Sequence, residues 1–334
     1  MTTAYVEARS AGPAPGFGDR PVPVTNDLAY LRTAIVNVAF FGTPSAVAGN
    51  DWVLIDTGMP GFADAIASAA GHRFGVGARP AAIVLTHGHF DHVGAVEELS
   101  RRWDVPVYAH ELELPYLTGR SPYPPPDPTV GGGLMAALSW LYPRGPIDLT
   151  GRVRPLPADG TVPGMPGWRW VHTPGHTPGH VSLFRDADRT LIAGDAFVTV
   201  KQESALAVLT QAPEVHGPPA YYTPDWPAAR LSVGVLEALE PETALTGHGV
   251  PLAGPALRAG LKALADDFGR LAVPPRGRYV GRPAVADASG VVSVPPDTSN
   301  PWNRVLVGLG AGVLLGLGIT SLLPHKGGRA GRPR

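Results

Sequence analysis

An α/β layered fold is predicted for this chain by three observations. Between residues 30 and 272, β-rich runs alternate with helical stretches, Gly- and Pro-containing turns separate them, and several short runs are apolar enough for buried strands. A length of 334 residues suits one large domain or two modest ones.

The elements are expected in this order. Residues 1–28 mix small and polar types and read as an N-terminal arm. LRTAIVNVAFFG, a turn at Thr43–Asn50 and DWVLIDTG form two β-rich runs, expected as an antiparallel pair that ends at Asp56-Thr57-Gly58. Residues 61–73 read as a helix, 81–86 as a buried strand, 93–102 as a helix and 105–110 as a further strand. Short strands return over 153–200, a helix over 225–239, a strand over 243–248 and an amphipathic helix over 255–272. The domain is therefore expected to span residues 29–272.

Residues 111–150 break the pattern, since PYPPPDP and GGG bracket the apolar LMAALSWLY. Two readings stand: a surface loop with a small helix, or a cap over an active site, because long loops in compact domains are often lids. In the second reading Leu134, Met135, Leu138, Trp140, Leu141 and Tyr142 suit a hydrophobic acyl or lactone substrate. Residues 273–303 are rich in Pro, Gly and Ser and read as a linker. Residues 305–323, VLVGLGAGVLLGLGITSLL, carry no charge and would span about 28 Å as a helix, against about 30 Å of hydrocarbon. A transmembrane helix over 304–323 with a basic tail over 324–334 is the expectation. Gly308, Gly312 and Gly316 have the spacing that lets membrane helices associate, so an oligomer is possible. The basic tail favours a cytoplasmic C-terminus, whereas the N-terminus lacks the apolar stretch of a signal peptide and favours a cytoplasmic domain. The expectation is membrane association with a cytoplasmic catalytic domain.

Composition narrows the chemistry. There is no cysteine, so disulfides, thiolate nucleophiles and Cys-held zinc are all excluded, and a metal would have to be held by His and carboxylate. The net charge of −1 gives no general attraction to nucleic acid, so none is expected as a partner.

The decisive segment is Thr86-His87-Gly88-His89-Phe90-Asp91-His92, directly after a predicted strand. Residues two apart on an extended chain share a face, so His87 and His89 can address one ion. The turn into the next helix redirects Asp91 and His92 toward a second point. Three further segments carry matching groups: HTPGHTPGH (172–180), Asp195 in LIAGDAF, and His248 in TGHG. Imidazole and carboxylate suit zinc, and also iron or manganese. His72, His110, His216 and His325 lack a partner motif and read as ordinary histidines.

HxHxDH, PGHTPGH, GD and GHG in this order resemble the metallo-β-lactamase superfamily, in particular its glyoxalase II and lactonase-like branch, over about residues 30–270. The resemblance implies an αββα sandwich. It implies that His87, His89 and His176 hold one metal, that Asp91, His92 and His248 hold a second, and that Asp195 bridges them. Asp56 would support a ligand from behind, while His172 and His180 would support or pack.

Two cations about 3.5–4 Å apart can share a water and convert it to a nucleophilic hydroxide. Asp91 would orient the nucleophile and carry its proton to the leaving group. The expected reaction is hydrolysis of a small-molecule ester, thioester or lactone. A bridging aspartate also characterises phosphodiesterase branches, and similar ligands serve a mono-iron sulfur dioxygenase, so both remain alternatives, as does a membrane-anchored metal-binding scaffold without activity. Lys201, Tyr221 and Tyr222, downstream of Asp195, are candidate substrate contacts.

Overall fold

The computed structural model describes residues 20–44 and 51–297. Seven strands follow chain order in the first sheet: β1 (Val22–Pro23), β2 (Leu28–Thr33), β3 (Val36–Phe41), β4 (Val53–Ile55), β5 (Ala82–Val84), β6 (Val107–Ala109) and β7 (Val153–Pro155). Pairing is antiparallel from β1 to β4 and parallel from β4 to β7. The second sheet contains β8 (Trp168–His172), β9 (Val181–Arg185), β10 (Thr190–Gly194), β11 (Thr243–Thr246) and β12 (Leu252–Ala253). Its spatial order is β12-β11-β10-β9-β8, with only β10 and β11 parallel.

Alternation along the strands explains the layering. Leu54 of β4 and Phe40 of β3 face helices α1 (Ala63–Phe74) and α2 (Val96–Trp103), while Val53, Ile55, Ala39 and Phe41 point the other way. Those residues pack on Trp168, Val181, Leu183, Ile192 and Leu245 of the second sheet. The far face of that sheet, through Leu191, Ala193 and Ala244, packs on α6 (Trp226–Ala238) and α7 (Gly254–Asp266). The result is the four-layer αββα sandwich. Ile66, Ile83 and Leu54 are fully shielded, and burying such a side chain contributes about 1.5–3 kcal/mol.

Shorter helices complete the domain: α3 (Leu114–Leu117), α4 (Leu134–Ala137), α5 (Ala205–Thr210) and α8 (Phe268–Leu271). Asp225 caps α6 by accepting the Ala228 amide at 3.0 Å, with Pro227 in the first turn.

Three expectations change. The run LRTAIVNVAFFG is not one strand, because the chain reverses between β2 and β3 through Ala34, whose φ is +60°; no Gly, Asn or Pro marks that turn. Residues 273–297 are not a free linker. They contain the hairpin β13 (Val285–Asp287) and β14 (Gly290–Ser293), and Tyr279 is buried with its hydroxyl donating to the Pro125 carbonyl at 2.6 Å. The expected C-terminal membrane helix, and the membrane-associated location that rested on it, are corrected: no helix among the described residues is long and apolar enough to cross a membrane. Residues 305–323 themselves lie outside the described residues, as do His325 and the arm up to residue 19.

Candidate metal centre

Open sheets collect functional groups where strand ends leave backbone and side chains unpaired, at carboxyl ends above all. Asp56 follows β4, His87 follows β5, Asp195 follows β10 and His248 follows β11, while His176 lies in the β8–β9 connection at the same edge. All seven expected ligands meet there, each nearly or fully shielded from solvent. Three sets of donor atoms lie within 4.8 Å of one another: His87, His89 and His176; His87, His92 and Asp195; and Asp91, His92 and His248.

Four of the five imidazoles, His89 excepted, are aimed by a contact on the outer nitrogen. The Thr86 hydroxyl donates to Asp56 Oδ2 at 2.7 Å and lies 3.1 Å from His87 Nδ1, which leaves His87 Nε2 directed inward. His92 Nδ1 contacts Asp56 Oδ2 at 2.8 Å, and His248 Nδ1 donates to the Ile35 carbonyl at 2.7 Å. His176 Nδ1 lies 3.4 Å from the Thr223 hydroxyl, and its Nε2 is 3.0 Å from His89 Nδ1. Asp56 holds a left-handed conformation, φ +58°, at a cost of about 1–2 kcal/mol for a non-glycine residue. Its bonds to Thr86 and His92 offset that cost. His180 accepts the Asp195 amide at 2.9 Å through Nε2, and its Nδ1 meets the Thr173 hydroxyl at 2.8 Å. Asp56 and His180 therefore lie directly behind the centre.

The electrostatics divide in two. Burial, reinforced by neighbouring imidazoles, holds His87 and His89 well below the usual histidine value, and burial brings His176 to about 3. Burial would also lower His92 and His248, but Asp195, with Asp56 behind His92 and Asp91 beside His248, holds both above the ordinary value. Burial opposes ionisation of Asp195, yet His248 and His92 keep it well below the usual carboxylate range. Asp91 is raised, burial being the largest cause.

The donor set fits metal ions. His87 Nε2, His92 Nε2 and Asp195 Oδ1 are buried without a hydrogen-bond partner, and leaving such atoms unmatched costs about 1–3 kcal/mol each. Asp56, Asp91, Glu113 and Asp195 are four buried carboxylates. Among the described residues none of them is ion-paired to Lys or Arg. Close packing needs Gly247, since a Cβ there would strike Asp195 Oδ1 and come within 2.7 Å of the His92 ring.

The expected substrate contacts fare differently. Lys201 is exposed. Tyr222 lies against His89, ring centroids 4.4 Å apart, but its hydroxyl donates to the Pro143 carbonyl at 2.8 Å. Tyr221 is buried against Tyr142 and Tyr222. His172 stacks on His110, ring centroids 4.3 Å apart, and its Nε2 meets the Pro178 carbonyl at 2.9 Å. From the 111–150 insertion, Tyr123, Pro124 and Pro125 line a recess beside His89 and His176, whereas Leu134, Trp140 and Leu141 remain exposed. Sequence reasoning missed Glu113, which is fully buried beside both ligand loops. In HELELPYL it resembles any acidic residue of a first helical turn.

Comparison with known proteins agrees with this geometry. The sequence profile of the metallo-beta-lactamase superfamily matches residues 36–248. The chain is 52% identical over 266 residues to the probable metallo-hydrolase YflN of Bacillus subtilis (strain 168), covering 80% of this chain and 98% of that protein. It is 32% identical over 201 residues to the probable metallo-hydrolase YybB of the same organism, covering 60% of this chain and 77% of that protein. A beta-lactamase domain protein from Burkholderia ambifaria has the same fold, with a TM-score of 0.53 at 21% identity, over 77% of this chain and 74% of that one. This enzyme is a metallo-hydrolase, and the chain belongs to the metallo-beta-lactamase superfamily.

Proposed function

We propose that the enzyme cleaves an ester, thioester or lactone bond in a small-molecule substrate, using two divalent cations, with zinc the first candidate. One observation carries the dinuclear reading. Asp195 Oδ2 lies 3.4 Å from His176 Nε2, 3.5 Å from His92 Nε2 and 3.1 Å from His248 Nε2, so a single carboxylate faces both sets of imidazoles. Cations held there would act as Lewis acids and lower the pKa of a shared water.

The protein groups supply the rest. Asp91, less deeply buried than Asp195, lies at the edge of the centre with Oδ2 3.5 Å from His248 Nε2. Its raised pKa lets it take a proton from the attacking water and return it to the leaving group. Phe90, Tyr142 and Tyr222 form an aromatic wall beside His89, with centroids 5.8 and 6.4 Å from Phe90. The recess lined by His89, Tyr123, His176, Tyr222 and Tyr279 includes no Lys, Arg, Asp or Glu. The aromatic lining suits an apolar acyl or lactone group, while a cation, Arg144, lies beside it and donates to the Tyr123 carbonyl.

The test is elemental analysis of purified protein together with turnover of aryl and alkyl esters, lactones, thioesters and phosphodiesters. About two zinc per chain with hydrolysis of carboxylic substrates would support the proposal. Hydrolysis of phosphodiesters alone would refute the substrate class. A single iron with no hydrolysis would refute the hydrolytic reading in favour of an iron-dependent oxidation.

A further inference from the structure

Glu113 is used by nothing in the mechanism above, yet it is fully buried. Its Oε1 accepts the Thr177 hydroxyl at 2.7 Å and the Gly179 amide at 2.8 Å. Its Oε2 accepts the Gly88 amide at 2.9 Å and the Tyr123 hydroxyl in a short bond. Four donors occupy the four lone-pair positions of a carboxylate. Their places in the chain matter more than their number. Gly88 separates His87 from His89; Thr177 follows His176; Gly179 precedes His180. Tyr123 adds a second grip, because its hydroxyl also accepts the Gly88 amide at 3.0 Å and its ring meets that of His89 at 4.6 Å. At Gly179 a Cβ would lie 2.8 Å from Glu113 Cγ and 2.9 Å from Oε1, so glycine is what lets the carboxylate reach that amide.

We propose that Glu113 is a positioning residue, a single buried carboxylate that holds the loop carrying His87 and His89 against the loop carrying His176 and thereby sets the metal affinity of that triad. The two loops lie about 90 residues apart in sequence and belong to different sheets. His89 Nδ1 and His176 Nε2 are 3.0 Å apart across the gap that Glu113 spans. Without the clamp, each loop keeps its own imidazoles but their separation is no longer imposed. The inference rests on the metal centre proposed above.

The experiment is zinc titration of the chelator-stripped full chain in competition with a chromophoric chelator, alongside melting of the metal-free protein. Glu113→Ala should weaken the zinc held by His87, His89 and His176 about 10- to 100-fold, the range for residues that orient ligands. Glu113→Gln keeps an oxygen toward Thr177 and Gly179 but turns a donor toward Gly88, so it should lose less. Tyr123→Phe should lose least. That order supports the clamp even where the alanine variant fails to fold, because the glutamine and phenylalanine variants still rank. Wild-type affinity in both Glu113→Gln and Tyr123→Phe overturns it. So does a lowered metal-free melting temperature with unchanged affinity, which is what simple loop packing would produce. If the wild-type chain itself binds no zinc, the proposed centre fails first; if it binds and the variants match it, only the clamp fails.

Discussion

The two halves of the proposed centre gather similar side chains but support them with different chemistry. His87, His89 and His176 face one another, and the outer nitrogens of His87 and His176 meet threonine hydroxyls, Thr86 and Thr223. No carboxylate touches those outer nitrogens, and burial keeps the rings neutral and ready to ligate. Asp195 faces His92 and His248 as well as His176, but Asp56 behind His92 and Asp91 beside His248 add charge that favours the protonated ring. Neutral hydroxyls orient a ring weakly and leave its basicity alone. Carboxylates orient it firmly and make protons compete for the same nitrogen.

The largest expected effect separates chemistry from binding. Asp91→Asn should lower kcat about 10²- to 10⁴-fold, the usual worth of a positioned proton-transfer group, while the His87, His89 and His176 set keeps its cation. Turnover within tenfold of the wild type would remove Asp91 from the reaction. Next comes the support of His92. In Asp56→Asn an amide replaces the oxygen that His92 Nδ1 contacts at 2.8 Å. The ring is then pushed toward the tautomer whose inward nitrogen carries hydrogen and cannot ligate. One zinc should weaken about 10- to 100-fold with the other little changed. Equal weakening of both would break the comparison.

The hydroxyl-supported half should respond less. The His176–Thr223 contact is long, 3.4 Å, so Thr223→Val should cost about 2- to 3-fold in zinc affinity, the low end for a neutral hydrogen bond. A loss as large as that from Asp56→Asn would show that the two kinds of support are equivalent. A separate contrast lies outside the centre, where His110 stacks on His172 with no carboxylate partner. Burial first, then the neighbouring imidazole, lowers His110 to about 4. As pH falls from about 6.5, the unfolded chain takes up a proton that the folded chain refuses, so stability is lost down to about pH 4. His110→Asn, which keeps an N-capping side chain, should flatten the melting temperature against pH in that window. An unchanged slope would show that His110 does not carry the effect.

How legible these features were depends on how local they are. The layers could be read because β4, β5 and β10 are short apolar runs buried on both faces, and α6 carries its own capping aspartate. The buried His/Asp cluster could be read because HxHxDH, PGHTPGH, GD and GHG each put a metal-type donor at the end of an element. The β2–β3 reversal at Ala34 was invisible, since its positive φ is imposed by strand pairing rather than by a turn-forming residue. The order of residues 273–297 was equally hidden, because Tyr279 is anchored on Pro125, 154 positions away. Lys201 looked promising by adjacency to Asp195 and points instead to solvent.

By itself, the sequence determined the alternation of buried faces, the absence of any thiol chemistry and the identity of the histidines and aspartates available to a metal. Those are properties of residue type and of spacing within one element, where backbone periodicity dictates direction. Only the tertiary structure decided that Glu113, and not Glu111 two residues earlier, is the buried acid, the first fully shielded and the second exposed. A carboxylate can be buried only where donors converge on it, and here they come from Gly88, Tyr123, Thr177 and Gly179. Three separate segments supply those donors, and no local pattern around residue 113 records their arrival.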